Sequence, residues 1–590
     1  MALAVPPCRT VLPSWETVPL PRRVIGVEIP VAALDIAMST NTAEKDVKTV
    51  NDLDRHGHAP DVEIASVDDR PPEFSEEKDL RFAQFCPVPS QYNGLFLGSG
   101  RALANGGPAG AFIGYTITGI LVSGVVISIA ELSALVPLSG GIIRHAEYFV
   151  DPALSFAQGW NSIYSYLITI PAEIVAAAVI VQFWTTINNA VWITVFGALL
   201  FASNLFLVRI YGELEFTFAT LKILLIVGMN IMALVITCGG GPNHEAYGFR
   251  FWHNPGPFVQ YLGHGGSLGR FMGFWTTFSN AVYAYSGVET ISMAAAETRA
   301  PRRNIPRAAK RIFWRVLIFY GTHSAGYRRV SSDDLLKSSG TAAESPFVIA
   351  AERAGIKAVP SIINFVVLTS AWSAGNSGLL NGSRTLYGLA REGHAPRVLK
   401  RTSRWGVPYL SVIAVGIFVA LGYMSLSASA ATVFTWLQDL TSSAALVGWI
   451  VICIVYLRFY YAMKKQGISR DDLPWKAPLQ PYAAWTSFIS IIILLLTGGY
   501  TTFIHGHWDT ETFISAYLDI VIVLALYFGY KIANNTLIVP LSEAPIRKFI
   551  EIAQQQPDPP STPKAGLKKL NFLWEWMNIR CTRGSNSRQT

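Results

Sequence analysis

Apolar residues in this chain recur in runs of about twenty, and that repetition limits the fold more than any other feature. Ten runs stand out: Pro108–Val136, Leu154–Trp184, Ala190–Val208, Phe216–Cys238, Phe271–Ala296, Ser361–Ala390, Leu410–Leu426, Ala431–Tyr456, Ala483–Ile504 and Phe513–Tyr530. A helix of about 20 apolar residues crosses the roughly 30 Å hydrocarbon core of a bilayer. Lipid offers no partner for the amides of an open strand, so spanning segments of this kind are helices. Composition agrees, with 51% hydrophobic and only 15% charged residues, against roughly 25% charged in soluble globular chains. A disordered chain is excluded, and a soluble multidomain enzyme does not fit.

Two further segments read as degraded spans. Gly94–Leu103 is apolar and glycine-rich but follows Cys86-Pro87-Val88-Pro89-Ser90-Gln91-Tyr92-Asn93, and Ile312–Tyr320 is short and carries Arg315. Counting both gives twelve spans. The loops support that count. Arg299, Arg302, Arg303, Arg307, Lys310 and Arg311 follow the sixth span, and Arg391, Arg397, Lys400, Arg401 and Arg404 follow the eighth. Arg458, Lys464, Lys465, Arg470 and Lys476 follow the tenth, while 185–189 and 505–512 hold no Lys or Arg. Basic loops stay in the cytoplasm, so both termini are expected there. The net charge of +8 thus reports topology, and no nucleic-acid partner is expected.

The expected organisation is a disordered cytoplasmic tail over 1–85, a transmembrane domain over 86–532 and a cytoplasmic tail over 533–590. The five cysteines have neither metal-ligand nor paired spacing, and no phosphate loop or hydrolytic triad is present. No cofactor, metal or enzymatic activity is expected. Lys45, Lys48 and Lys78 are candidate ubiquitin acceptors, with solvated lysines as the plainer reading. The stretch Leu567–Met577 is suited to lie on the inner membrane surface.

Ionisable residues inside apolar runs cost roughly 2.5–3.5 kcal/mol each at mid-bilayer and usually face a cavity. Glu131, Glu173, Lys222, Glu289 and Asp439 are such residues. Glu173, mid-span behind Pro171, is the strongest functional candidate. Glu131 is either an interfacial gate or solvated, Lys222 either faces the cavity or snorkels, and Asp439 reads as solvated near an outer helix end. Ser286-Gly287 should interrupt the sixth span, since broken helices at membrane depth expose peptide groups that bind substrate and ions. The small residues Ser370, Ser373, Gly375, Ser377 and Gly378 read as a helix-packing face.

Several stretches carry a resemblance: GLFLGSGRALANGGPAGA (94–111), PLSGG (137–141), FVDPALSFAQGWNSIYSYLITIPAEIVAAA (149–178), AETRAPRRNIPRAAKRIFWR (296–315), SRTLYGLAREGHAPR (383–397) and LPWKAPLQPY (473–482). On these the chain resembles a fungal amino-acid permease, of the yeast amino acid transporter type, in the amino acid–polyamine–organocation superfamily. The resemblance implies an all-α membrane protein with the LeuT-type fold: two inverted five-helix repeats, then two extra helices. It implies amino-acid uptake across the plasma membrane, coupled to protons. It places the substrate carboxylate on amides at Asn93, Gly94 and Leu95, and the amine on carbonyls from Tyr283 through Ala284, Tyr285 and Ser286 to Gly287. Glu173 matches a glutamate that influences substrate and proton coupling, and Lys222 a lysine that stands in for a sodium ion. Glu289 falls on a Gly-x-Glu segment, and Glu131 joins the proton-coupling or gating set. Departures at Val88–Asn93 and after Tyr320 leave two alternatives open: an amino-acid sensor with little flux, and a non-functional product of a faulty gene model.

Overall fold

A computed structural model of the chain describes residues 98–558 apart from short gaps and the stretch 311–345. Asn93, Gly94, Leu95, the expected seventh span, the N-terminal tail with its lysines, and residues 559–590 lie outside the described residues. Every described segment of regular structure is helical.

Helix α1 (Gly98–Leu135) turns sharply at Gly107, whose φ of 73° a side-chain-bearing residue rarely adopts. A Cβ there would also lie 2.8 Å from the Pro257 carbonyl. This turn separates the degraded first span from the second. A short helix α2 (Ile142–Phe149) leads into α3 (Pro152–Val181), which Asp151 caps by accepting the Leu154 N–H at 2.7 Å. There follow α4 (Asn189–Phe206), α5 (Val208–Thr237), α6 (Gly266–Tyr285), α7 (Thr290–Met293) and a helical stretch, α8, at 301–310. The second half comprises α9 (Pro346–Arg353), α10 (Val359–Arg391), α11 (Tyr409–Gly416, continued as 3-10 helix to Leu426), α12 (Ala430–Lys465), α13 (Tyr482–Thr497), α14 (Thr510–Asn534) and α15 (Ile546–Gln555).

Each of the ten strong runs coincides with helix, but the boundaries shift. Among the described residues seven helices are long and apolar enough alone to cross a membrane. The other three fall outside that set: the expected sixth span, whose helix stops at Tyr285, the eighth, whose helix α10 is rich in small and polar residues, and the eleventh, whose helix ends ahead of a 3-10 turn at Tyr500–Phe503. Helix α5 begins eight residues before the expected Phe216.

Helix α3 is the centre of the packing. Its Ile163, Ile170 and Ile174 join Ile193 and Leu200 of α4, Leu379 and Leu386 of α10, and Val412 and Val415 of α11. Its Ile168, Ala172 and Val175 join Tyr283 of α6 and Val433, Phe434 and Leu437 of α12. Where lipid is as apolar as leucine, close backbone approach replaces the hydrophobic drive. Gly106 and Gly114 provide it between α1 and α6, since a Cβ on either would fall within 2.4 Å of Thr277. By contrast α14 turns leucine, valine and phenylalanine outward, including Val521, Leu524 and Phe528.

The chain after α14 does not leave the protein. Gln466 donates to the carbonyls of Leu541 and Ala544 at 3.0 and 2.9 Å, and Arg458 holds Val539. Phe549 packs its ring edge-on to Tyr148. Asp558 pairs with Arg302 at 3.6 Å and accepts the Arg303 N–H at 3.1 Å.

Candidate functional site

Helix α6 stops at Tyr285. Ser286 is extended, Gly287 has φ 85°, and helix resumes at Thr290. Only glycine takes such a φ without steric cost, so the Ser-Gly pair breaks the span where the sequence suggests. Three local contacts hold the break. The Gly287 N–H donates to Glu289 Oε1 at 3.2 Å, Trp449 Nε1 donates to Glu289 Oε2 at 3.1 Å, and the Thr290 hydroxyl donates to the Gly287 carbonyl at 2.7 Å. Glu289 is thus a brace across the break, fastened to α12.

Facing the end of α6 is Glu173 of α3, with 0% exposure. The Tyr283 hydroxyl donates to its Oε1 at 3.3 Å. Tyr283 sits in the last turn before the break, so this bond couples a fixed helix to an interrupted one. The next aromatic, Tyr285, donates to the Tyr115 carbonyl of α1 at 3.0 Å.

Lys222 is only 2% exposed, so its ammonium does not snorkel. Its Nζ donates to the Ser373 hydroxyl at 3.4 Å, and Ser373 donates to Glu215 Oε2 at 2.7 Å. Ser377 donates to the same oxygen at 3.4 Å. Glu215 and Glu173 are the acids whose charges act on Lys222. Ser373 and Ser377 therefore carry polar contacts, while Gly378 does serve packing, with Ile170 3.1 Å from where its Cβ would be. The sequence reading does not include Glu215 because its span starts at Phe216. Glu215 and Lys222 are seven residues apart, two helical turns, and share a face.

Glu131 belongs elsewhere. It is 1% exposed, not solvated. Arg470 approaches both its oxygens at 3.0 and 2.8 Å, Tyr456 donates at 3.0 Å, and the Ala477 N–H at 2.7 Å. It clamps the C-terminal end of α1 to α12 and the loop beyond. In that loop, the Lys476 ammonium beside Asp471 holds its carboxyl below the usual carboxylate range.

Further toward the start of α6, Asn280 accepts from Gln438 Nε2 of α12 at 2.8 Å, and Gly98 lies against both. Asp439 is half-buried: it accepts the Ser279 hydroxyl at 2.8 Å and lies 3.9 Å from Arg101. A cavity of about 50 Å³ opens here among α6, α12, α13 and α14, lined by Ser279, Asp439, Ser442 and Ala516 among others. It does not reach Glu173.

Comparison with known proteins agrees with this architecture. The profile of the amino acid permease family matches residues 93–539. The proline-specific permease of Saccharomyces cerevisiae is 37% identical, over 85% of this chain and 81% of that one. The dicarboxylic amino acid permease of the same yeast is 33% identical, over 87% and 86%. Among solved structures, a mutant of the Eremococcus coleocola manganese transporter superposes with a TM-score of 0.50 at 13% identity, covering 80% of this chain and 94% of that one. At that identity the likeness is one of fold alone, and it agrees with the all-α, LeuT-type class expected from the sequence.

Proposed function

Because the chain belongs to the amino acid permease family, we propose that it imports amino acids across the plasma membrane by proton symport, with both termini in the cytoplasm. The observation that carries this reading is the break at Ser286-Gly287 beside the Glu173–Tyr283 contact. Interrupted helices present peptide dipoles to a ligand in place of water. In this reading the substrate amine meets carbonyls of the segment Tyr283, Ala284, Tyr285, Ser286 and Gly287. Its carboxylate meets the amides of Asn93, Gly94 and Leu95.

Glu173 takes the proton, and Tyr283 passes its charge state to the break. Lys222 ties α5 to α10 through Ser373. Glu289 and Glu131 hold the moving parts in register rather than carry protons. A zwitterion brings no net charge, so the accompanying proton is what draws on the membrane potential, about 2.3 kcal/mol per charge per 100 mV. The permease domain spans 86–532, between tails at 1–85 and 533–590 on which ubiquitin machinery acts.

Proline is the first substrate to test, given the proline-specific relative. Labelled proline uptake by permease-deficient yeast expressing the chain should rise as external pH falls from 7 to 5. Competition by unlabelled acidic and basic amino acids then defines the class carried. A protein that reaches the cell surface but takes up no amino acid at any pH would overturn the reading.

A further inference from the structure

A further buried acid belongs neither to the break nor to the cytoplasmic clamp. Asp519 lies midway along α14 with 0% exposure, and neither of its carboxylate oxygens has a hydrogen-bond partner. Helix α14 packs on α3, α12 and the turn Tyr500–Phe503. On α3, Tyr164 is close enough for the Asp519 charge to act on it, and its hydroxyl too is buried without a hydrogen-bond partner. No basic side chain among the described residues acts on Asp519. Lys531, further along α14, is already paired with Asp151 at 2.7 Å, and Tyr500 of the turn interacts with Tyr261 instead. From α12, Asp439 stands at the outer cavity with Arg101 and Ser279. That same cavity is lined by Ala516, one turn of α14 outward from Asp519.

An ionised carboxylate without a partner is among the costliest groups to bury, and it neutralises by taking up a proton. Packing alone gives no reason to keep an acid at this place: Leu518 and Ile520 flank it, and Ser515, a turn away on the same face, already donates to the Thr512 carbonyl. Two buried polar groups on packed helices both lack a bond, and one of them, Asp519, lies a turn from a cavity, so a proton arriving there lets the pair gain one.

We propose that Asp519 is a second proton-binding site of the transporter, loaded from the outer medium through the cavity beside Asp439. On loading, the carboxylate takes one proton from a hydronium ion, leaving water. The resulting acid O–H donates to the Tyr164 hydroxyl oxygen. Release returns that proton to water and restores the carboxylate. The inference rests on the proton-symport reading and adds a site to it.

The test compares wild type with Asp519→Asn, which is isosteric but cannot load, using labelled proline or whichever amino acid the uptake panel identifies. Net uptake at external pH 5 should fall at least tenfold and lose its dependence on pH between 5 and 7. Exchange of internal for external substrate, which needs no net proton flux, should fall much less. Asp519→Glu should recover the pH dependence. An Asp519→Asn profile that follows wild type overturns the inference. Should that variant fail to reach the surface, Tyr164→Phe decides. A pH midpoint moved by half a unit or more supports the site, and an unmoved midpoint overturns it. Wild-type uptake that ignores pH would instead sink the symport reading itself, so the two failures are distinct.

Discussion

Two glutamates look alike in the sequence and live differently in the fold. Glu131 and Glu173 both sit in apolar runs and both are buried. Glu131 is held by a guanidinium, a phenol and a backbone amide, all from the C-terminal part of α12 and the loop that follows. Glu173 meets the hydroxyl of Tyr283, a residue on the last turn before a helix break. A charge locked to a cation has one state and gives rigidity. Glu173 accepts from a phenol beside a hinge and also feels the Lys222 charge, so its protonation is tied to the helix break as well as to α5. Burial therefore does not identify a transport residue; where its partners sit does.

The sharpest way to break this comparison is to remove the cation. Arg470→Ala strands a buried carboxylate, and losing one member of a buried pair costs about 3–5 kcal/mol. The detergent-solubilised protein should lose its cooperative melt or melt far earlier, while any surviving molecules still transport. A melt unchanged from wild type would place Glu131 in a looser setting than its four contacts suggest. Glu173→Gln should do the reverse: surface abundance near wild type, with net uptake down about a hundredfold, equivalent to about 2.7 kcal/mol. Uptake per surface molecule checks it.

Gly287→Ala comes next. A left-handed backbone costs a residue bearing a Cβ about 1–2 kcal/mol, and the break would relax toward continuous helix. Uptake should fall roughly tenfold with little change in melting. The smallest effect is expected from Ser377→Ala, which removes a 3.4 Å contact to Glu215. A typical hydrogen bond contributes about 0.5–1.5 kcal/mol net, and although this one runs to a carboxylate, its length and the shared oxygen keep it at the lower end, as a two- to threefold change in uptake. A larger loss there would move Glu215 into the transport machinery.

What the sequence makes legible follows from locality. The spans show because apolar length is a local property, and the break shows because Ser286-Gly287 interrupts one. The partner of Glu131 does not show, since Arg470 lies 339 positions away and no local pattern joins them. Glu215 is hidden by a boundary: hydropathy drops at Glu213 and Glu215, yet helix α5 runs through both. Asp519 meets the same criterion as Glu173, an acid within an apolar run, but only burial and the lack of partners separate it from an acid at a solvated helix end. The docking of residues 536–558 is likewise invisible, because its bonds run largely from distant side chains to backbone carbonyls.

The turn at Gly107 has a practical consequence. The first two helical pieces are joined without a projecting loop, and the Ala109 N–H is already bonded to the Pro257 carbonyl at 3.0 Å. An epitope tag or biotinylation handle inserted there would have to prise apart packed backbone. Residues 505–509 are exposed, and the space around Gly506 is empty to 4 Å. A reporter placed at Gly506 gives an experimenter an accessible grip that the turn within the opening pair of helices denies.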